Sequence, residues 1–224
     1  LGDVYKRQYI HMVMNETIEG VACRSLDDLP EKVIVSDCSS NILSEPLDVK
    51  KFGLIYAGAQ KNIGPAGLAI VIIRKDLIQK RDDLPALMSY QTYADSESMY
   101  NTPPTFAWYL SGKVFSWLKR NGGLKSIEEI NLRKAKKLYD YIDNSDFYYN
   151  DVSIESRSIM NVPFLLNDDS LNDSFLKNSE KEGLLNLAGH RSVGGMRASI
   201  YNAVPEEAID ALVSFMDVFA NKYG

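Results

Sequence analysis

Histidine and cysteine are almost missing from this sequence, with two of each among 224 residues. His11 and His190 stand far apart along the chain, so a histidine-built metal site or a relay of several histidines is set aside. Cys23 and Cys38 form no CxxC and have no neighbouring histidine pair, which supports neither a disulfide framework nor a zinc site. Cys38 is expected as a small core residue. Long apolar runs are missing too. The longest, Leu68 to Ile73, falls far below the roughly 18 to 20 residues needed to cross a bilayer. Positive charge gathers nowhere: 25 basic residues are scattered among 30 acidic ones, and the formal charge is -5. Without a basic stripe to track phosphates, nucleic acid is a poor partner. A cytoplasmic protein with no metal is the expectation. The opening LGDVYKRQ, residues 1–8, reads as a non-native leader and is kept out of the fold argument.

What is there is a globular chain, 45% hydrophobic, with a real core. KVIVSD (Lys32 to Asp37), FGLIYAG (Phe52 to Gly58) and LAIVIIR (Leu68 to Arg74) are short β-branched runs and read as buried strands. Between the last two lies AQKNIGPAG, where Gly64, Pro65 and Gly67 forbid a helix. Strands of this kind belong mostly to α/β sheets, in which functional groups gather at strand ends. Past Asn101 the texture changes. TFAWYLSGKVFSWLKRNGG has helical spacing and stops at Gly122 and Gly123. SIEEINLRKAKKLYDYID follows, with Ser126 and Glu129 in capping-box register. SIMNVPFLL and GMRASIYNA read as strands, with a helix from near Leu171 to Gly183 between them. Pro205, at a first helical position, opens a final amphipathic helix that turns Ile209, Leu212, Val213, Met216 and Phe219 inward. A boundary falls between roughly residues 101 and 125, with a strand-based part before it and a smaller α+β part after it.

Three groups of residues could carry chemistry. Lys61 stands in a short loop between two apolar strands; a lysine there is ordinarily a surface residue. One used in Schiff-base chemistry must instead spend time as a free amine, which needs desolvation or nearby positive charge. Asp37 ends a strand before Ser39 and Ser40, and is either a turn aspartate or a partner for a pyridinium nitrogen. His190, Arg191 and Arg197 cluster in GHRSVGGMRAS, where Gly189, Gly194 and Gly195 leave room for a ligand. Arginine forks suit carboxylates and phosphates, although structural ion pairs in a glycine-rich turn remain an equal reading.

Five blocks in order, MNETIEG around Thr17, SDCSSNILS around Asp37, AGAQKNIGPAG around Lys61, MYNTPPTFAWYLSG around Asn101, and GHRSVGGMRASIYNA, closely resemble the phosphoserine aminotransferases. These are class V members of the fold-type I pyridoxal-phosphate enzymes, and the similarity runs from about Tyr9 to Gly224. The resemblance implies an α/β fold of the aspartate aminotransferase-like, PLP-dependent transferase type. Residues 9–115 would be the C-terminal part of the large cofactor-binding domain, and 116–224 a small C-terminal domain.

It also implies the cofactor, pyridoxal 5'-phosphate, and the roles of residues. Lys61 would form the Schiff base and carry the proton. Asp37 would hold the pyridine nitrogen, Thr17 the ring hydroxyl region and Gln60 a phosphate oxygen. Asn101 and Thr102 match residues that reach the phosphate of the other subunit of a homodimer. Arg197 matches the clamp on the substrate α-carboxylate, and His190 and Arg191 match groups at the substrate's distal end. The implied reaction moves the amino group of L-glutamate to 3-phosphohydroxypyruvate, giving 2-oxoglutarate and O-phospho-L-serine for serine biosynthesis, with pyridoxine biosynthesis as a further role. The family's N-terminal portion has no match here, so this piece alone is expected to be inactive. Two other readings stay open: a related class V aminotransferase, and a truncated remnant that only folds or dimerises.

Overall fold

The computed structural model describes residues 8–224, so the expected leader lies almost wholly outside the described residues. A four-stranded sheet comes first. Strands β1 (Tyr9–Val13), β2 (Val33–Asp37) and β3 (Leu54–Gly58) run parallel, and β4 (Ala69–Ile73) pairs antiparallel with β3. The register places Val13 beside Asp37 and Asp37 beside Tyr56, so three chain segments leave the sheet at the same end. Met14, Ile34, Cys38, Phe52, Ile55 and Ile63 build one core behind this sheet, with Cys38 filling the small apolar position expected of it. The apolar run in β4 is not buried as its composition suggests: Val71 is 39% and Ile72 43% exposed. As an edge strand, β4 is covered by a neighbour on one side only.

Helices α1 (Tyr90–Asp95), α2 (Thr105–Arg120) and α3 (Gly123–Asp143) lead into the second half. Gly122 takes φ +88°, a conformation open to glycine, and reverses the chain so sharply that α3 starts at once. Ser126 therefore lies inside the first turn and forms no capping box. Its hydroxyl fills the space where a Cβ on Gly122 would fall. An antiparallel sheet of β5 (Tyr148–Tyr149), β6 (Asn161–Leu166) and β7 (Met196–Ser199) packs with α3, α4 (Asn172–Lys181) and α5 (Glu206–Tyr223). In α5, Ile209, Leu212, Met216 and Phe219 are buried at spacings of three and four, so one helical stripe faces the core. Pro205 sits just outside α5 in extended geometry instead of at its first helical position. No described helix is long and apolar enough to cross a membrane.

Both strands flanking this second core are shorter than their sequences suggest, for identifiable reasons. Ser158 Oγ accepts the backbone N–H groups of Met160 and Asn161, folding the approach to β6 into a turn. After Ser199, the carbonyls of Ile200, Tyr201 and Val204 all turn toward the ammonium of Lys134, which donates to them at 3.0, 2.9 and 3.0 Å. Lys134 is only 1% exposed.

The two cores meet through polar side chains. Asn131 Nδ2 donates to Ser44 O and Asn202 Oδ1, while Asn202 Nδ2 donates to Leu43 O and its backbone N–H to Asn62 Oδ1. Asn15 Nδ2 reaches both Ser40 Oγ and Asn161 Oδ1, at 2.8 and 2.9 Å. Buried acceptors of this kind are costly to orphan. Asn131→Leu should destabilise the chain by about 2 to 4 kcal/mol in urea denaturation, because two acceptors lose their donor in a site closed to water.

Candidate active site

The functional side chains leave the carboxyl ends of the parallel strands, where an open α/β sheet concentrates binding groups. Past β1, Glu16 accepts the N–H groups of Ile18 and Glu19, a tight turn that presents Thr17. Asp37 is the last residue of β2, and Lys61 follows β3 in a turn closed by the Ile63 and Gly64 N–H groups donating to Ala59 O.

Lys61 Nζ donates to Thr17 Oγ1 at 2.7 Å. Burial pushes its pKa below that of an ordinary lysine; the Asp37 and Glu16 carboxylates oppose this, and the Arg197 guanidinium adds to it. Desolvation and the arginine outweigh the two negative charges, so the proton on Lys61 is held less tightly than on an ordinary lysine. Asp37 Oδ1 accepts the Ser39 N–H at 2.8 Å, and Tyr56 is the cross-strand neighbour of Asp37. The Tyr56 hydroxyl is 3.0 Å from His11 Nε2, with the two rings stacked at 5.9 Å. Burial, and then the charge of Asp37, raises the Tyr56 pKa, which keeps its hydroxyl protonated.

From the second sheet, β7 contributes Arg197. Its Nε is buried and has no hydrogen-bond partner among the described residues, on a group already close enough to act on Lys61. Such a donor suits a carboxylate arriving from outside. Thr17, Asp37, Lys61 and Arg197 are thus brought together. Gln60 sits beside them, exposed, with its amide against Gly58.

The other expected residues are not joined to this group. His190 Nδ1 is 2.7 Å from Ser192 Oγ, and Arg191 is exposed. Their loop is closed on itself: a Cβ on Gly189 would fall 2.0 Å from Gly194 O, so glycine there answers a need of the loop's own backbone. Asn101 and Thr102 lie on an exposed stretch, where Asn101 Nδ2 donates weakly to Thr102 O at 3.3 Å. A cavity of about 480 Å³ lies behind the His190 loop among Ile18, Val21, Tyr149, Pro163 and Val193, but neither Lys61, Asp37 nor Arg197 lines it.

Sequence reasoning missed Tyr56, His11, Asn161 and Tyr201. Asn161 is wholly buried, and its Nδ2 donates to Ser199 Oγ and Tyr201 OH at 3.2 and 3.1 Å. For Tyr56 a signal existed, since it shares the period-2 face that Asp37 requires across the sheet. For Asn161 and Tyr201 none did.

The donor set fits a pyridoxal-type cofactor. It offers a lysine whose pKa burial lowers, a carboxylate fixed by a backbone N–H, a hydroxyl beside the lysine, and a guanidinium nitrogen without a partner among the described residues.

Comparison with known proteins agrees. The family model "Aminotransferase class-V" matches residues 5–212. A phosphoserine aminotransferase of Acinetobacter baylyi is 60% identical over 217 residues, covering 96% of this chain and 60% of the relative. The solved phosphoserine aminotransferase from Bacillus circulans subsp. alkalophilus superposes with a TM-score of 0.94 at 47% identity, again over 96% of this chain and 60% of that one. The PLP-bound phosphoserine aminotransferase from Trichomonas vaginalis gives 0.88 at 42% identity, over 93% and 60%. The chain therefore spans about 60% of the length of these relatives.

Proposed function

The chain belongs to the class-V aminotransferases, and from that premise we propose that it carries the lysine-bearing portion of a phosphoserine transaminase. The observation that carries the reading is Lys61 hydrogen-bonded to the Thr17 hydroxyl, its pKa lowered by burial, with Asp37 and Arg197 acting on it from two different sheets. Bound pyridoxal 5'-phosphate would supply the electron sink that makes a substrate Cα–H acidic. Lys61 would anchor the cofactor and, as a free amine, would accept the substrate Cα proton at Nζ. Asp37 would hold the pyridine nitrogen protonated, Thr17 would meet the ring hydroxyl region, and Gln60 would bind a phosphate oxygen.

Arg197 grips the α-carboxylate common to L-glutamate and 3-phosphohydroxypyruvate. His190 and Arg191 receive the distal γ-carboxylate or phosphate, both anions with several acceptor oxygens. The products are 2-oxoglutarate and O-phospho-L-serine. Asn101 and Thr102 serve the phosphate of a second subunit in a homodimer; Phe106 and Tyr109, 70% and 60% exposed, offer that partner an apolar face nearby. The division into a cofactor-binding part, 9–115, and a smaller part, 116–224, belongs to the same reading and is supported by the two separate cores.

The test is O-phospho-L-serine formation by the protein at the length of its relatives, with and without Arg197→Lys. A point charge replaces a fork, so KM should rise about 10- to 100-fold for both substrates while kcat changes little. No phosphoserine from the unsubstituted protein would end the proposal.

A further inference from the structure

Two side chains of the site arrive from different halves of the chain: Thr17, whose hydroxyl holds Lys61 Nζ at 2.7 Å, and Arg197 on β7. Asn15, buried two residues before Thr17, joins those halves. Its Nδ2 donates to Ser40 Oγ at 2.8 Å and to Asn161 Oδ1 at 2.9 Å, and its Oδ1 accepts the hydroxyl of Ser158. The orientation of this amide is forced by its neighbours. A backbone carbonyl only accepts, so the Ser40 hydroxyl gives its proton to Asn15 O and must itself receive Nδ2. Ser158 Oγ already takes the N–H groups of Met160 and Asn161, which leaves its own proton for Oδ1. Both amide protons and the amide oxygen of Asn15 are thereby used, on partners past β2 and at the start of β6. An aspartate of the same shape would set one acceptor against another at Asn161 Oδ1.

The joint leads directly to Arg197. Asn161 is paired in register with Ser199, and its Nδ2 donates to Ser199 Oγ at 3.2 Å. Arg197 stands two residues before Ser199, so both lie on one face of β7. The tip of the Thr17 turn packs at the same place: a Cβ on Gly20 would fall 2.3 Å from Pro163 Cδ, and Pro163 is the register partner of Arg197. Backbone bonds hold the far limb of this turn, with the Ala22 N–H on Ser156 O at 2.7 Å and the Ser158 N–H on Gly20 O at 2.9 Å. The near limb carries Thr17, and its tether is the Asn15 side chain.

We propose that Asn15 is a positioning residue: it sets the Thr17 turn, and with it Lys61, at the separation from Arg197 that a bound amino acid spans between its Cα–H and its α-carboxylate. This role rests on the transaminase reading, in which Arg197 grips that carboxylate and Lys61 accepts the Cα proton. One carbon bears both substrate groups, so the two protein groups have little freedom to drift. A displacement of about 1 Å is enough to cost about 100-fold in rate. Because the backbone bonds of the far limb persist without Asn15, the expected loss is smaller.

In the protein at the length of its relatives, Asn15→Ala should lower kcat for O-phospho-L-serine formation about tenfold and leave KM within about twofold, since the carboxylate grip itself is intact. In the Arg197→Lys background the same substitution should lower kcat about threefold or less, because a point charge lets the carboxylate follow the displaced lysine. A merely structural loss would remove the same fraction of active protein from both backgrounds. An equal factor in both therefore overturns the proposal.

Hydrogen exchange gives a second readout without cofactor or substrate. The Glu16, Ile18 and Glu19 amides should exchange about tenfold faster in Asn15→Ala, while those of α5 keep their rates. Exchange that quickens equally in both places, or in neither, counts against the tether. If Asn15→Ala does not fold, Ser40→Ala releases one amide proton and keeps the bond to Asn161; its kcat loss of about threefold should disappear in the Arg197→Lys background, and a loss that persists there undiminished overturns the proposal. No phosphoserine from the unsubstituted protein is a failure of the transaminase reading and leaves exchange to decide the tether. Phosphoserine formation with equal factors is a failure of the tether alone.

Discussion

Lys61→Ala is expected to leave the chain folded and unable to capture pyridoxal phosphate covalently. Borohydride reduction after incubation with the cofactor should trap an adduct on Lys61 of the unsubstituted chain and none at that peptide in the variant. In the protein at the length of its relatives, turnover should fall about 10⁴-fold or more, since one side chain supplies both the anchor and the proton carrier. The structural cost is small by comparison. Lys61 is half-buried and makes one side-chain hydrogen bond, to Thr17, worth about 1 kcal/mol. Lys61→Arg sharpens the result, because guanidinium keeps the positive charge yet neither deprotonates nor condenses with an aldehyde in this range. If charge alone mattered, arginine would rescue. Trapping or turnover that survives in either variant would show that Lys61 is a well-placed surface lysine and no more.

The second large effect concerns Lys134, which touches none of the proposed substrates. Lys134→Met keeps an unbranched apolar stem but leaves the carbonyls of Ile200, Tyr201 and Val204 without their shared donor. Orphaning three acceptors where the residue is 1% exposed should cost about 3 to 5 kcal/mol in chemical denaturation at neutral pH. The penalty should depend on pH with a definite sign. Burial lowers the Lys134 pKa from 10.5 to about 8, so between those values the unfolded chain binds more protons than the folded one. Stability from this residue therefore increases with pH across that window and is lost as pH falls through about 8. The gap between unsubstituted chain and variant should widen by about 3 kcal/mol from pH 8 to pH 10.5, other titrations cancelling in the difference. A gap that stays flat or narrows would show that the three carbonyls compensate the buried charge fully.

The sheet around Lys61 was legible because β2 and β3 announce themselves as β-branched runs closed by polar residues, and Lys61 and Asp37 sit where those runs stop. Helix α5 was legible for a similar reason: its stripe repeats at three and four residues. Composition could not show that β4 lies at an edge, since Val71 and Ile72 are as apolar as residues in a covered strand. Nor could it show that β7 stops at Ser199, because the cause is a lysine 66 residues away in sequence that turns the Ile200 carbonyl aside. The glycines of the His190 loop were visible, but that Gly189 makes room for Gly194 O is a contact that only coordinates reveal. Asn161 lay hidden in a run that reads as plain strand, and its significance comes from Asn15, which reaches it only after the two sheets have met.

The Asn15–Asn161 hydrogen bond joins residues 146 apart in the chain. Closing so long a loop carries an entropy cost that local helices and hairpins do not face, so contacts of this separation form after each core has collected its own neighbours. Arg197 can act on Lys61 only once the two sheets have met, so a chain whose sheets are still apart lacks the guanidinium that helps lower the lysine's pKa. The environment of Lys61 thus belongs in part to the assembled pair of sheets and not to its loop alone.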